Sequence, residues 1–173
     1  MTPSRAITLL ASAAVVPLLA FAVAGCGNSG STASSGPPKN KNTRRPTVNS
    51  STTRLGEVLV DSKGETLYLF VQDKGPKTTC FDSCARAWPP LRVKGKPTAG
   101  GAVKPSKLST SKRPDGPPQV TYNGHPLYLY QGDLKPGDVT GQGLDVWGDV
   151  WWAVSPSGKE VTKGGRKPPG EGY

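Results

Sequence analysis

A chain of 173 residues with 22 Lys and Arg against 12 Asp and Glu carries a formal net charge of +10. One His, three Cys, no Gly-x-Ser-x-Gly and no phosphate-binding glycine loop leave only carboxylates for a catalyst, so neither an enzyme nor a cofactor is expected. The excess charge sits in the chain ends, which argues against a nucleic-acid surface, where basic and aromatic side chains share one folded face.

The N-terminus reads as an address. "MTPSR" precedes the apolar run "AITLLASAAVVPLLAFAVAG", and small residues end it before Cys26. A short basic start and an apolar stretch of this length form a secretory signal, here residues 1–25. "VAGC", Val23 to Cys26, resembles a bacterial lipobox. In such signals the peptide is cut before the Cys, its thiol receives a diacylglycerol and the new amino terminus is acylated, often with palmitate. Burial of acyl methylenes, about 0.8 kcal/mol each, then holds the protein on the extracytoplasmic face of the cell membrane. Residues 26–54 are Ser, Thr, Gly, Asn and Pro with Lys39, Lys41, Arg44, Arg45 and Arg54 and no acid. This composition is a disordered tether, reaching about 30 Å as a flexible coil. Its charge suits an anionic lipid or wall polymer.

Residues 55–161 are the expected folded domain, nearly balanced in charge, and 162–173 a flexible tail. Val58 to Val60, the turn at Asp61 to Gly64, and Thr66 to Val71 form a hairpin signal. Phe81 to Ala87 suits a short helix that Pro89 and Pro90 stop. Lys94 to Asp115 is rich in Pro, Gly, Lys and Ser and reads as a connecting loop. Gln119 to Tyr122, Asn123-Gly124 and Leu127 to Gln131 repeat the hairpin form. A Gly-rich loop and a strand from Val150 to Val154 follow. At an offset of sixty, Gly64, Leu67, Tyr68, Leu69 and Asp73 recur as Gly124, Leu127, Tyr128, Leu129 and Asp133, and Phe70 meets Tyr130. The expected fold is mostly β: a small antiparallel domain of two related hairpin units, about 55–93 and 117–161, with one short helix. Contact between the units should bury Trp88 and Trp151 or Trp152, and His125 should be an exposed turn residue.

"YLFVQD" and "YLYQGD" both fit Y-x-[FWY]-x-x-D. With the lipobox, "CxxxCAxxWPPL" and "QVTYNGHPLYLY", the chain resembles the bacterial secreted-repeat lipoproteins that carry this motif twice, a family of unknown function. The resemblance implies architecture and address but no substrate.

On a strand, Tyr68 and Phe70 share one face and Leu67 and Leu69 the other, so the motif strand should lie between two apolar layers. Asp73 and Asp133 follow the strand ends, where a carboxylate can accept backbone N–H bonds and fix the chain's exit. As separate fold devices they should contribute equally and independently; as a ligand cluster, Tyr68, Phe70, Asp73, Tyr128, Tyr130 and Asp133 would converge on a cation or small molecule. Cys80 and Cys84, an even pair in an exported chain, lie about 6 Å apart on a helical turn, within reach of a disulfide. Asp138, Asp145 and Asp149 flank the Gly-rich loop and are weak candidates for a hard cation. The reading is a monomeric, non-catalytic cell-surface lipoprotein that binds or scaffolds. Its alternative is a redox- or metal-handling lipoprotein using Cys80 and Cys84 or the acidic loop.

Overall fold

Residues 47–165 are described by a computed structural model. The expected signal peptide, Cys26, the expected tether up to residue 46 and the expected tail from residue 166 lie outside the described residues. Eight short strands carry the fold: β1 (Val48–Thr53), β2 (Gly56–Asp61), β3 (Tyr68–Phe70), β4 (Leu108–Arg113), β5 (Gly116–Tyr122), β6 (His125–Pro126), β7 (Leu144–Val146) and β8 (Asp149–Ala153). One helix, α1 (Asp82–Ala87), and a 3-10 turn, Pro105–Lys107, accompany them. They form three antiparallel sheets ordered β1-β2, β3-β8-β7 and β4-β5-β6. The fold is therefore mostly β, built from two hairpin-like units with one short helix.

The two units repeat one backbone circuit. Leu67 donates its N–H to Leu59, and Leu127 donates to Val120. Val154 donates to Leu67, and Leu91 donates to Leu127. Leu59 donates to Val154, and Val120 donates to Leu91. Each unit thus has a hairpin strand, a motif strand and a returning segment, and "WPPL" from Trp88 plays the part of "WWAV" from Trp151. The two motif strands meet at Tyr68 and Tyr128, which exchange antiparallel backbone bonds of 2.8 and 2.9 Å.

The alternation of the motif strand sets the core. Tyr68 and Phe70 enter one buried cluster with Val58, Val60, Trp88, Tyr128 and Trp151. Leu67 and Leu69 enter a second with Leu59, Val120, Leu127 and Trp152. The strand is apolar on both faces because a layer covers each of them.

Two boundaries differ from the sequence reading. The domain does not begin at Leu55: β1 pairs with β2 along its length, and Val48 is fully buried. Its remaining residues, Asn, Ser and Thr, look like tether because β1 has an open face. The stretch Lys94 to Asp115 is not a plain loop either, since it contains β4, which pairs with β5 from Leu108↔Tyr122 to Arg113↔Gly116. A polar outer strand carries no apolar alternation to reveal it.

Candidate functional site

The motif acids sit just past their strands, in matching turns: Asp73 donates its N–H to Phe70 and Asp133 to Tyr130, both at 3.1 Å. One carboxylate oxygen of each fixes the following loop. Asp73 Oδ1 accepts from the Thr79 N–H and hydroxyl, both at 2.7 Å. Asp133 Oδ1 accepts from the Thr140 N–H at 2.8 Å and its hydroxyl at 2.6 Å. The other oxygen reaches across the repeats. The Tyr68 hydroxyl donates to Asp133 Oδ2 at 2.7 Å, and the Tyr128 hydroxyl donates to Asp73 Oδ2 at 2.5 Å. The backbone-fixing role was legible in the sequence; the crossing was not. Burial first, and then the bonded Asp133, push the Tyr68 hydroxyl well above the usual tyrosine range. Burial and the charge of Asp73 do the same to Tyr128.

The rings cross in the same way. Phe70 of the first repeat stacks on Trp151 of the second, centroids 4.1 Å apart and planes at 7°. Tyr130 of the second lies on Trp88 of the first at 4.3 Å. Between them Trp88 and Trp151 stack at 3.9 Å and 5°, completing a row of four rings. Tyr68 meets Trp88 edge-on at 5.4 Å, and Tyr128 meets Trp151 edge-on at 5.1 Å. Such pairs contribute about 0.5–1.5 kcal/mol each beyond the area they bury. No motif side chain is paired solely within its own repeat.

A pattern written twice, with the Tyr–Asp bonds and the stacked rings exchanged between the copies, invites comparison with repeat families. A family model described as a secreted repeat of unknown function matches residues 49–92 and again 109–155, together just over half the chain. The chain belongs to this secreted-repeat family. No curated protein and no solved structure matches it.

Within the first secreted repeat, Cys80 and Cys84 are joined, Cα atoms 5.3 Å apart, at the start of α1. Both are buried. Arg113 closes over this corner. Its guanidinium donates to the Cys80 carbonyl at 3.0 Å and to Gln119 Oε1 at 2.8 Å. It forks onto Asp115 at 2.7 and 2.8 Å and lies 4.8 Å above the Phe81 ring. The Arg113 bond holds Asp115 well below the usual carboxylate range. Arg113 and Gln119 were missed because Arg113 lies in the stretch read as loop.

The two repeats are unequal in exposure. Phe70 and Asp73 are each 2 % exposed, whereas Tyr130 and Asp133 are half-buried. Trp152 stands opposite Leu69 in the first repeat, and the smaller Pro89 stands by Leu129 in the second. A cleft of about 220 Å³ is lined by Glu65, Pro89, Leu129, Tyr130, Gln131 and Asp133 among others, and another of about 390 Å³ by Leu69, Asn123, His125 and Gly158 among others.

The remaining sequence candidates do not converge. Asp138 Oδ2 accepts from the Leu134 and Lys135 N–H groups, a local turn. Asp149 bonds its neighbour Val150, and Asp145 is exposed. Among the described residues no three His, Cys, Asp or Glu gather as a metal set. His125 is not the exposed turn residue expected: it is half-buried in β6, with Nδ1 buried and unbonded. Of the tryptophans after the Gly-rich loop, Trp151 and Trp152 are core and Trp147 is 47 % exposed.

Proposed function

We propose that the protein is a non-catalytic module displayed outside the cytoplasmic membrane, held there by lipid on Cys26, that binds or scaffolds through its folded repeat pair. The crossed Tyr–Asp bonds support this reading. The motif hydroxyls and carboxylates are engaged with one another and with loop N–H groups, so they act as a clasp that makes two repeats one rigid body. Binding is assigned to the second repeat, whose motif edge opens onto the cleft at Tyr130 and Asp133. The first repeat supplies the internal comparison: the same clasp works there with Phe70 and a sealed Asp73, so openness is not a requirement of the fold.

Two substitutions test the reading. Cys26→Ala should move the protein from the membrane fraction into the medium, or stall it as precursor; membrane retention of correctly processed protein would refute the anchor. Pro89→Trp places in the second repeat the ring that stands opposite Leu69 in the first, to fill the cleft beside Tyr130 and Asp133. It should leave folding intact and abolish capture of envelope material by the displayed chain, and undiminished capture would refute the cleft.

A further inference from the structure

The folded part is nearly balanced in charge, yet its basic groups are unevenly placed. A cleft of about 300 Å³ is lined by Thr47, Arg92, Val93, Lys94, Lys96 and Thr98, with no carboxylate in its wall. Arg92 reaches it already paired, to Asp115 at 2.9 Å. Lys94 and Lys96 are exposed, and among the described residues no acid pairs with them within the ion-pair distance. Two threonines complete the rim and fix it. The Thr47 N–H donates to Thr98 Oγ1 at 3.1 Å, and the Thr98 N–H donates to Thr47 Oγ1 at 3.3 Å. Behind them Val48 pairs in parallel with Ala99, donating to the Thr98 carbonyl at 3.1 Å.

This is where the tether joins the domain. Thr47 is the first described residue, and the sequence before it holds Lys39, Lys41, Arg44 and Arg45 without an acid. The basic sequence before Thr47 is therefore followed by a residue that lines a basic cleft, whose rim is pinned to the domain. With Cys26 lipidated, about twenty residues of chain separate the bilayer from Thr47, which bounds their separation at about 70 Å even if fully extended. That keeps this end of the domain within reach of the headgroups, where each basic side chain is attracted to an anionic surface.

We infer that the Thr47–Thr98 cleft is a docking surface for anionic phospholipid headgroups. Lys94 and Lys96 hold the phosphate, the threonine rim borders it, and the domain is seated on the membrane with its tether end down. The inference rests on the lipid-anchored reading for its geometry, and the charge of the cleft supplies the chemistry.

The test uses the lipidated chain, purified from membranes and reconstituted into vesicles. Flotation with neutral phosphatidylcholine vesicles reports the anchor alone. Amine acylation followed by peptide mass analysis then reports the seat. Lys94 and Lys96 should be protected in phosphatidylglycerol vesicles and reactive in phosphatidylcholine vesicles, with the protection lost in high salt. Exposed Lys135 in the second repeat is the reference. In the Cys26→Ala protein, Lys94→Gln and Lys96→Gln should each weaken partition onto phosphatidylglycerol vesicles about fivefold. Equal reactivity of Lys94 and Lys96 in both lipids would overturn the inference. Protection by soluble polyphosphate with none from phosphatidylglycerol would overturn the membrane assignment. Failure to float with neutral vesicles would refute the anchor instead, and leave the contrast between anionic and neutral lipid readable.

Discussion

Asp73→Ala and Asp133→Ala would be equal and independent if each acid only fixed its own turn. The crossed geometry predicts neither. Asp73 is 2 % exposed, and its loss leaves the Thr79 N–H without its acceptor and Tyr128 with only the Thr78 hydroxyl, 2.5 Å away. A buried group left unbonded costs about 1–3 kcal/mol, so Asp73→Ala should lower stability by about 3 kcal/mol. At half-buried Asp133 water can replace the lost acceptor, and about 1–2 kcal/mol is expected. Double-mutant cycles by urea melts test the crossing itself. Tyr128→Phe with Asp73→Ala, and Tyr68→Phe with Asp133→Ala, should each show a coupling of about 1.5–3 kcal/mol, the range for a bond to a charged group. The same-repeat cycles, Tyr68→Phe with Asp73→Ala and Tyr128→Phe with Asp133→Ala, should be additive within about 0.5 kcal/mol. Coupling in the same-repeat cycles and none in the crossed ones would refute the clasp.

Four further outcomes follow from the contacts described above. Tyr68 and Tyr128 hold their protons more tightly folded than unfolded, so that part of the stability is present below about pH 10 and lost as pH rises beyond it; tyrosinate absorbance should show both titrating only as the chain unfolds. Arg113→Ala should cost about 2–4 kcal/mol by leaving Gln119 Oε1 unbonded and the Cys80 carbonyl with the Thr78 hydroxyl at 3.4 Å, and Arg113→Lys should not restore it, because an ammonium cannot fork. Asp115 has a folded value below its unfolded one, so its share is present above about pH 4 and lost as pH falls, and the gap between wild type and Arg113→Ala should narrow in acid. Alkylation and intact-mass analysis of surface-derived protein should find Cys80 and Cys84 protected until a reductant is added; free thiols would contradict the joined pair.

What the sequence revealed depended on periodicity and on local chemistry. Tyr68 and Phe70 against Leu67 and Leu69 announced a strand between two layers, because side-chain alternation is a property of the strand alone. Asp73 and Asp133 announced fixed turns for the same reason: their backbone partners lie six and seven residues away. Cys80 and Cys84 were near enough in sequence for their separation to be computed. The crossing of hydroxyls and rings depends on which motif strand meets which. No single-sequence period encodes the pairing of Tyr68 with Tyr128, sixty residues apart. Likewise β1 and β4 show polar open faces, so the strands that complete the outer sheets looked like tether and loop.

The crossing also explains why the motif is written twice. A single repeat holds Asp73 without Tyr128, Phe70 without Trp151 and Trp88 without Tyr130. Each of those groups would be a solvated or unpaired side chain in isolation, and the Tyr68 strand would present an unpaired backbone edge. One repeat therefore lacks both the apolar layer and the hydrogen-bond partners that make its motif stabilising. Two repeats supply each other, and the four-ring row forms only at their interface. Because the clasp needs only one aromatic ring, one hydroxyl and one carboxylate from each side, the outer edge of either repeat is free to vary. Trp152 stands opposite Leu69 in the first, and Pro89 stands by Leu129 in the second. Stability is thereby shared between the repeats while each keeps its own outer edge, with Leu69 lining one cleft and Leu129, Tyr130 and Asp133 another, which lets a chain this short combine a rigid core with exposed clefts.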